Sequence, residues 1–407
     1  MALLKVEPVE NAILNCKNHL EKYHLGKTEI ICVEQALNRI VSTPIYSPEV
    51  LPNFTRSTVD GYAVHSKETQ GASESLPTIL KCVDRIAMGQ EALITINAGE
   101  CAYVPTGGML PDGADAVVMI EYTESFNEND VLIYKSITRN ENVIQIGEDV
   151  NHKQLIVEKG QRLTVQSIGV CAGVGIDKVE VYAKLNAAII STGDEVYPIN
   201  HPISKGQVHD INGALLTVQL NEININVHST SLIQDDFDEL NKAINRLSKE
   251  VDVIFVSGGS SQGEKDYTVK IFESLGKDVV WSHGLAVKPG KPTILGSIGK
   301  CLLIGLPGHP VSAFTIFQRV FKTAFQRSLG QNLISTFARI DTNVISSQGK
   351  ETIIFLNVYQ DNNCSRARIV YTKSGLISTL LSANAYLIVP GNLEGYKKDE
   401  MVNVILI

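Results

Sequence analysis

No apolar stretch in the 407 residues approaches the roughly 20 that a membrane-spanning helix requires. A helical membrane protein is therefore not expected. No run of Lys and Arg is interleaved with aromatic side chains, and the formal net charge is −8, so nucleic acid is not an expected partner. The seven cysteines (Cys16, Cys32, Cys82, Cys101, Cys171, Cys301 and Cys364) include no C-x-x-C pair. Several lie inside apolar runs, which leads to the expectation of inert, reduced thiols in a cytoplasmic protein. Low-complexity tracts and repeats are also missing. The opening segment MALLKVEPVENAILNCKNHLEK carries Glu7 and Glu10 and no long apolar core, and reads as neither signal peptide nor membrane anchor.

What is present is an ordinary globular composition, 44% hydrophobic and 20% charged. The length exceeds what one core supports, so several domains are expected. Val9, Ile13, Cys16 and Leu20 are spaced for one helical face, and Val33, Ala36, Leu37 and Ile40 suggest a second helix ended by Pro44 and Pro48. Residues 46–146 turn to short Val, Ile, Thr and Tyr runs broken by Gly, Pro and Asn, the texture of a β-rich domain. Residues 147–183 read as a strand, a turn and a helix that rejoin residues 1–45 in a mixed α/β domain, making the β-rich region an insertion. Residues 184–330 alternate strand and helix, which predicts a three-layer α/β domain with a mainly parallel sheet. Phe314, Phe317, Phe321 and Phe325 follow helical spacing there and are expected in its core. Residues 331–407 read as a small C-terminal β domain.

Between Val251 and Phe314 three apolar runs end on polar or glycine turns, VDVIFVSGG, AVKPGKP and CLLIGLPGHPVSAF, and LNAAIISTGDEV closes likewise. Read as buried parallel strands, they gather their loops where such sheets bind ligands. The loops carry Thr192, Asp194, Glu195, Ser257, Gly258, Gly259, Lys288, Lys291 and His309. Glycines admit backbone N–H groups, lysines neutralise charge and carboxylates hold a cation, a mixture suited to phosphate and oxyanion chemistry. Taken singly, each has a plainer reading: Thr192 to Glu195 as a turn, Asp210 as a helix N-cap, Gly258 to Gly263 as a flexible loop. That loop lacks both the G-K-[ST] ending of a P-loop and the dinucleotide fingerprint. Lys288-Pro289-Gly290-Lys291-Pro292 is stiffened by two prolines and can converge two ammonium groups on one polyanion.

In order along the chain, VDGYAV, TGGMLPDGADAVVM, GEDV, STGDEV, DING, GGSSQGEKDYT, KPGKP and LPGHPVSAF resemble the motifs of the molybdopterin molybdenumtransferase family. The resemblance implies a four-domain elongated subunit that dimerises, with an active site between the pterin-binding α/β domain of one subunit and the β-rich domain of the other. It implies insertion of molybdenum from molybdate into adenylylated molybdopterin, with AMP release and help from a divalent cation such as Mg²⁺. Matched by position, Asp60, Thr106, Glu195, Asp210, Asp266, Lys288 and Lys291 become the catalytic candidates, with Glu195, Asp210 and Asp266 as cation ligands. Thr192, Gly193, Asn212, Ser257, Gly258, Gly259, Ser261, Gly263, Pro307, Gly308 and Pro310 become the substrate-binding set. A molybdopterin adenylyltransferase and acceptor molybdoenzymes are the implied protein contacts. The sequence departs from the family pattern at Gly108, Gln262 and His309.

Overall fold

The computed structural model describes residues 6–258, 267–276, 278–361 and 364–407. They form two compact units, one of Met1–Glu29, Asn38–Ser42 and Glu180–Ile407, the other of Ile30–Leu37 and Thr43–Val179. The first unit is built on a six-stranded sheet in the order Asn226–Ile233, Asn186–Thr192, Val253–Ser257, Cys301–Leu306, Ile294–Ile298, Val280–His283. The first four strands are mutually parallel, and the last two add antiparallel. The expected mainly parallel sheet is therefore present, with an antiparallel edge.

Alternation along the central strands explains their unbroken apolar runs. Ala187, Ile189, Val253, Phe255, Leu302 and Ile304 enter one core, while Ala188, Ile190, Ile254, Val256, Cys301 and Leu303 enter another. Both faces are covered, so the middle positions of these strands are apolar, and polar side chains enter only at the ends, at Asn186 and at Ser191, Thr192 and Ser257. Val9–Tyr23 and Ile211–Glu222 close the first face; Phe237–Leu247 and Tyr267–Ser274 close the second. The parallel crossovers place Thr192, Ser257 and Leu306 at one edge, where the loops predicted to carry function begin.

The aromatic helix after that edge is in three parts: Pro310–Ile316, a π-helical turn Phe317–Lys322, and Thr323–Ser328. Phe317, Phe321 and Phe325 are buried as expected, and Phe314 packs against the same core. The wider π turn shows in the Thr323 hydroxyl, which donates to the carbonyl of Gln318 five residues earlier at 3.1 Å. Within the turn, Arg319 makes a two-pronged bond to Glu351 (2.7 and 2.9 Å) and also reaches Glu10 (2.7 Å).

The C-terminal strands Glu351–Asp361, Cys364–Ile369, Ser335–Ile340, Met401–Leu406 and Ala385–Val389 pair in that order, and the last returns to the first. The result is a small closed barrel around Ile340, Leu356, Ala367, Leu387 and Val404. Closure removes the unpaired edges that a sheet this small would otherwise expose.

The second unit holds the β-rich sheet, ordered Ala116–Met119, Gly61–Val64, Glu100–Val104, Thr78–Arg85, Asp130–Ile133, Thr123–Ser125. Its core includes Tyr62, Val64, Leu80, Val118 and Ile133. The helix Val165–Gly173 starts at a reciprocal cap between Thr164 and Ser167. The helix expected over Val33 to Ile40 does not form. A single 3₁₀ turn, Val33–Gln35, is all that appears, because Asn38 takes a left-handed backbone conformation (φ 64°) and Val41 enters an isolated bridge with Val181.

Candidate active site

At the carboxyl edge of the parallel sheet lies a cavity of about 540 Å³. It is lined by Thr192, Gly193, Glu195, Asp210, Asn212, Ser257, Gly258, Gly308, His309 and Pro310 together with Ser191, Asp235 and Gly375. Nine positions of the expected catalytic and substrate-binding sets thus share one wall system, since strands and crossovers deliver their loops to the same edge. Pro307 is buried at the end of its strand and does not line the cavity. Gly259, Ser261, Gly263 and Asp266 lie outside the described residues.

The floor is fixed by short polar contacts. Asn212 donates from Nδ2 to the Ser257 hydroxyl (2.7 Å) and to the Gly308 carbonyl (2.8 Å), tying three loops together. Its Oδ1 and the Ser191 hydroxyl are buried without a hydrogen-bond partner among the described residues. Unpaired buried acceptors are costly and draw a donor from a ligand or water. Asp210 caps the helix Ile211–Glu222 by accepting the Gly213 N–H on Oδ1 at 2.8 Å, so the plain capping reading holds and Oδ2 stays outside the cap. Gly258 has φ +110°, and a Cβ there would stand 2.2 Å from the Thr192 carbonyl oxygen. Only glycine lets the strand end lie this close to its neighbour. Thr192 donates its hydroxyl to Asp235 at 2.6 Å.

Asp235 was not among the expected site residues. The signal was available: it follows the strand Asn226–Ile233, whose end lies at the same sheet edge.

The KPGKP turn is elsewhere. Val287–Lys288 pairs in parallel with Glu351 and Thr352 of the C-terminal barrel strand, not with the central sheet. The expectation that this run was a parallel strand of the α/β sheet is corrected: its two strand residues pair instead with Glu351 and Thr352, at the start of a barrel strand. Lys288 and Lys291 therefore line a second cavity, of about 710 Å³, together with Lys350 and Lys373. No carboxylate lines it among the described residues. Lys288 donates to the Ser347 hydroxyl at 3.2 Å. Pro310 and Gly375 border the first cavity, Val311, Ser312 and Ser374 the second, and the Val311 N–H donates to the Ser374 carbonyl at 3.1 Å along the seam. Nothing in the local sequence of Lys350 or Lys373 announces this role, because only the barrel pairing brings them to Lys288.

In the second unit, Asp60 and Thr106 are joined directly. The Thr106 N–H and hydroxyl both donate to Asp60 Oδ1, at 2.7 and 3.1 Å.

A mainly parallel sheet with glycine turns, an amide oxygen unpartnered among the described residues and a neighbouring lysine-lined cavity define an α/β protein with polar cavities at its sheet edge. Residues 188–327 match the family described as "Probable molybdopterin binding domain". Residues 7–175 match "MoeA N-terminal region (domain I and II)" and residues 338–407 match "MoeA C-terminal region (domain IV)". A molybdopterin biosynthesis protein of Methanocaldococcus jannaschii is 35% identical over 395 residues, covering 94% of this chain and 92% of that one. The molybdopterin molybdenumtransferase of Haemophilus influenzae is 32% identical over 306 residues, 75% of this chain and 74% of its own. The crystal structure of a molybdopterin biosynthesis moeA protein from Pyrococcus horikoshii superposes with a TM-score of 0.80 at 34% identity, over 99% of each chain. The chain belongs to the molybdopterin molybdenumtransferase family, enzymes of molybdenum cofactor biosynthesis.

Proposed function

We propose that this chain inserts molybdenum from molybdate into adenylylated molybdopterin and releases AMP. The observation that carries the reading is the junction of two chemically opposite cavities along Pro310–Val311 and Ser374–Gly375. The first offers an amide oxygen without a partner among the described residues, hydroxyls, glycine backbone and the three carboxylates of Glu195, Asp210 and Asp235, which suits a polar pterin and, through a bridging cation, its phosphates. The second offers four ammonium groups and no described carboxylate, which suits a dianion such as molybdate.

In this reading Asn212, Ser257, Thr192, Gly193, Gly258, Gly308 and Pro310 orient the pterin. Lys288 and Lys291 recruit molybdate or neutralise the charge that develops as the phosphoanhydride breaks. Glu195 and Asp210 orient the attacking oxygen. Among the described residues no cluster of three or more His, Cys, Asp or Glu is arranged to hold a metal. Mg²⁺ is nonetheless compatible with the donors present, because it keeps several waters and binds through one or two carboxylates plus substrate phosphates. Glu195 and Oδ2 of Asp210 would hold it, and when bound it supplies further charge neutralisation at the phosphates. A homodimer in which Asp60 and Thr106 of a second copy complete the site belongs to the same proposal.

The test is to combine purified protein with adenylylated molybdopterin, Mg²⁺ and molybdate, and to follow AMP and pterin-bound molybdenum beside a molybdate-free control. Molybdate-dependent AMP release with metal retained on the pterin is the expected result. Tight pterin binding with neither product would overturn the reading.

A further inference from the structure

Cys82 and Cys101 are 19 residues apart in sequence and carry no motif. The fold makes them cross-strand partners: Thr78–Arg85 and Glu100–Val104 run parallel, and Cys82 is registered directly against Cys101. Registered residues on adjacent strands project from the same face. Their backbones lie about 4.8 Å apart, inside the roughly 4.4–6.8 Å Cα window a disulfide accepts. Just after Cys82 the register slips between Cys82 and Asp84, a bulge that loosens the local ladder. Cys101 is fully buried in the core of the β-rich sheet, whereas Cys82 packs against that core while remaining half-exposed. One thiol is thus reachable by a small oxidant and the other is held behind it.

The surroundings of Cys82 favour its ionised form. The S–H of Cys101, followed by the N–H of Tyr103 and the Arg85 guanidinium, outweighs partial burial and brings the Cys82 thiol down to about 6. Arg85 is itself held over the Tyr103 ring, 4.7 Å from its centre. Cys101 shifts the other way, pushed up by its bond to Cys82 and by burial. Tyr103, two residues on from Cys101, and Tyr62, on the strand beyond, also face the pair, and the Tyr62 hydroxyl is raised, chiefly by burial.

We propose that Cys82 and Cys101 form a redox modification site, in which Cys82 is oxidised by hydrogen peroxide and Cys101 resolves it as a reversible disulfide between neighbouring strands. The Cys82 thiolate attacks one peroxide oxygen, the O–O bond breaks, and hydroxide leaves a sulfenic acid behind. The Cys101 sulfur then attacks the Cys82 sulfur, the S–S bond forms, and the hydroxyl departs with the Cys101 proton as water. Two thiols and one peroxide become one disulfide and two waters. A small dithiol returns the pair to its reduced form.

The experiment treats the reduced full-length chain with hydrogen peroxide, blocks residual thiols and maps the proteolytic peptides by mass spectrometry. A peptide pair joined through Cys82 and Cys101, lost after dithiothreitol, is expected. Mixing isotopically heavy and light protein before oxidation must give no hybrid pair. In Cys101→Ser the joined pair disappears and a dimedone-reactive sulfenic acid accumulates at Cys82. In the untreated protein, alkylation of Cys82 is half-maximal near pH 6, against about 8.5 for an ordinary thiol. Oxidation of Cys32 or Cys364 while Cys82 and Cys101 stay reduced overturns the proposal. So does a bridge that forms only between heavy and light chains. Both readings come from the native sequence and do not depend on a variant that folds.

Discussion

One carboxylate oxygen of Asp60 accepts two bonds from Thr106, from its backbone N–H at 2.7 Å and its hydroxyl at 3.1 Å, across 46 residues of sequence. The turn is fastened on either side, since Gly107 N–H donates to the Ser57 carbonyl (2.8 Å) and Ser57 N–H to the Gly108 carbonyl (2.9 Å). Asp60 and Thr106 are thus presented as one unit. If that unit acts on substrate, Asp60→Asn lowers metal insertion by about 10²-fold or more. Thr106→Val keeps the backbone bond and loses only about tenfold. Single-turnover molybdenum incorporation, with melting temperature as the control for folding, separates the two; equal losses would mark the pair as structural only.

Gly258 gives a prediction of the opposite kind, about folding before chemistry. Ala at this position meets a left-handed backbone and the Thr192 carbonyl oxygen together. We expect Gly258→Ala to destabilise the chain by roughly 1–3 kcal/mol or more, read from urea unfolding. Unchanged stability would mean that the two strand ends separate easily.

The lysine-lined cavity should report on anions by charge. Lys350→Ala and Lys373→Ala are each expected to weaken molybdate binding about tenfold at low salt, measured by calorimetry. Pterin or nucleotide affinity should stay within about twofold, because neither side chain borders the first cavity. The wild-type affinity should itself fall as salt is raised. Equal weakening of both ligands by either variant would merge the two cavities into one site.

Asp252 supplies a pH signature. Burial disfavours its charge, yet the His24 ring (3.1 Å), the Asn186 N–H (2.9 Å) and the Lys27 ammonium (3.0 Å) outweigh this and hold the carboxyl well below the usual carboxylate range. A carboxyl depressed on folding adds stability above its unfolded value, near 3.9, and loses it as pH falls towards the folded value. Asp252→Asn should therefore cost about 2–4 kcal/mol at pH 7. The gap from wild type should close progressively below about pH 4. Chemical denaturation across that range tests it, and a gap independent of pH would assign the loss to packing.

Strands buried on both faces were legible because their apolar runs admit little else, and the helix Val9–Tyr23 was legible from its spacing. Asn38 shows the limit: the pattern of Val33, Ala36, Leu37 and Ile40 is helical, but one left-handed residue breaks it. KPGKP shows another limit. A stiff basic turn is easy to see in sequence, whereas the sheet that receives its two strand residues depends on Glu351 and Thr352, more than sixty positions later. Lys350 and Lys373 share that difficulty, since each becomes part of the site only through long-range pairing. For the first cavity, Thr192, Asn212, Ser257 and Gly308 were visible because each follows directly from a strand end or a helix start.

The π turn at Phe317–Lys322 has a geometric consequence for the whole edge. An ordinary helix advances about 100° per residue. Removing one residue here would restore regular winding, yet it would swing everything beyond by about that angle relative to Pro310. Phe325 would then leave the core and Arg327 would turn away from Glu10, which it now holds at 2.7 Å. The extra residue works as a phase setter: it lets one continuous rod keep the first cavity's rim at its start and the Phe325 and Arg327 contacts at its far end, two alignments that regular helical pitch would not satisfy together.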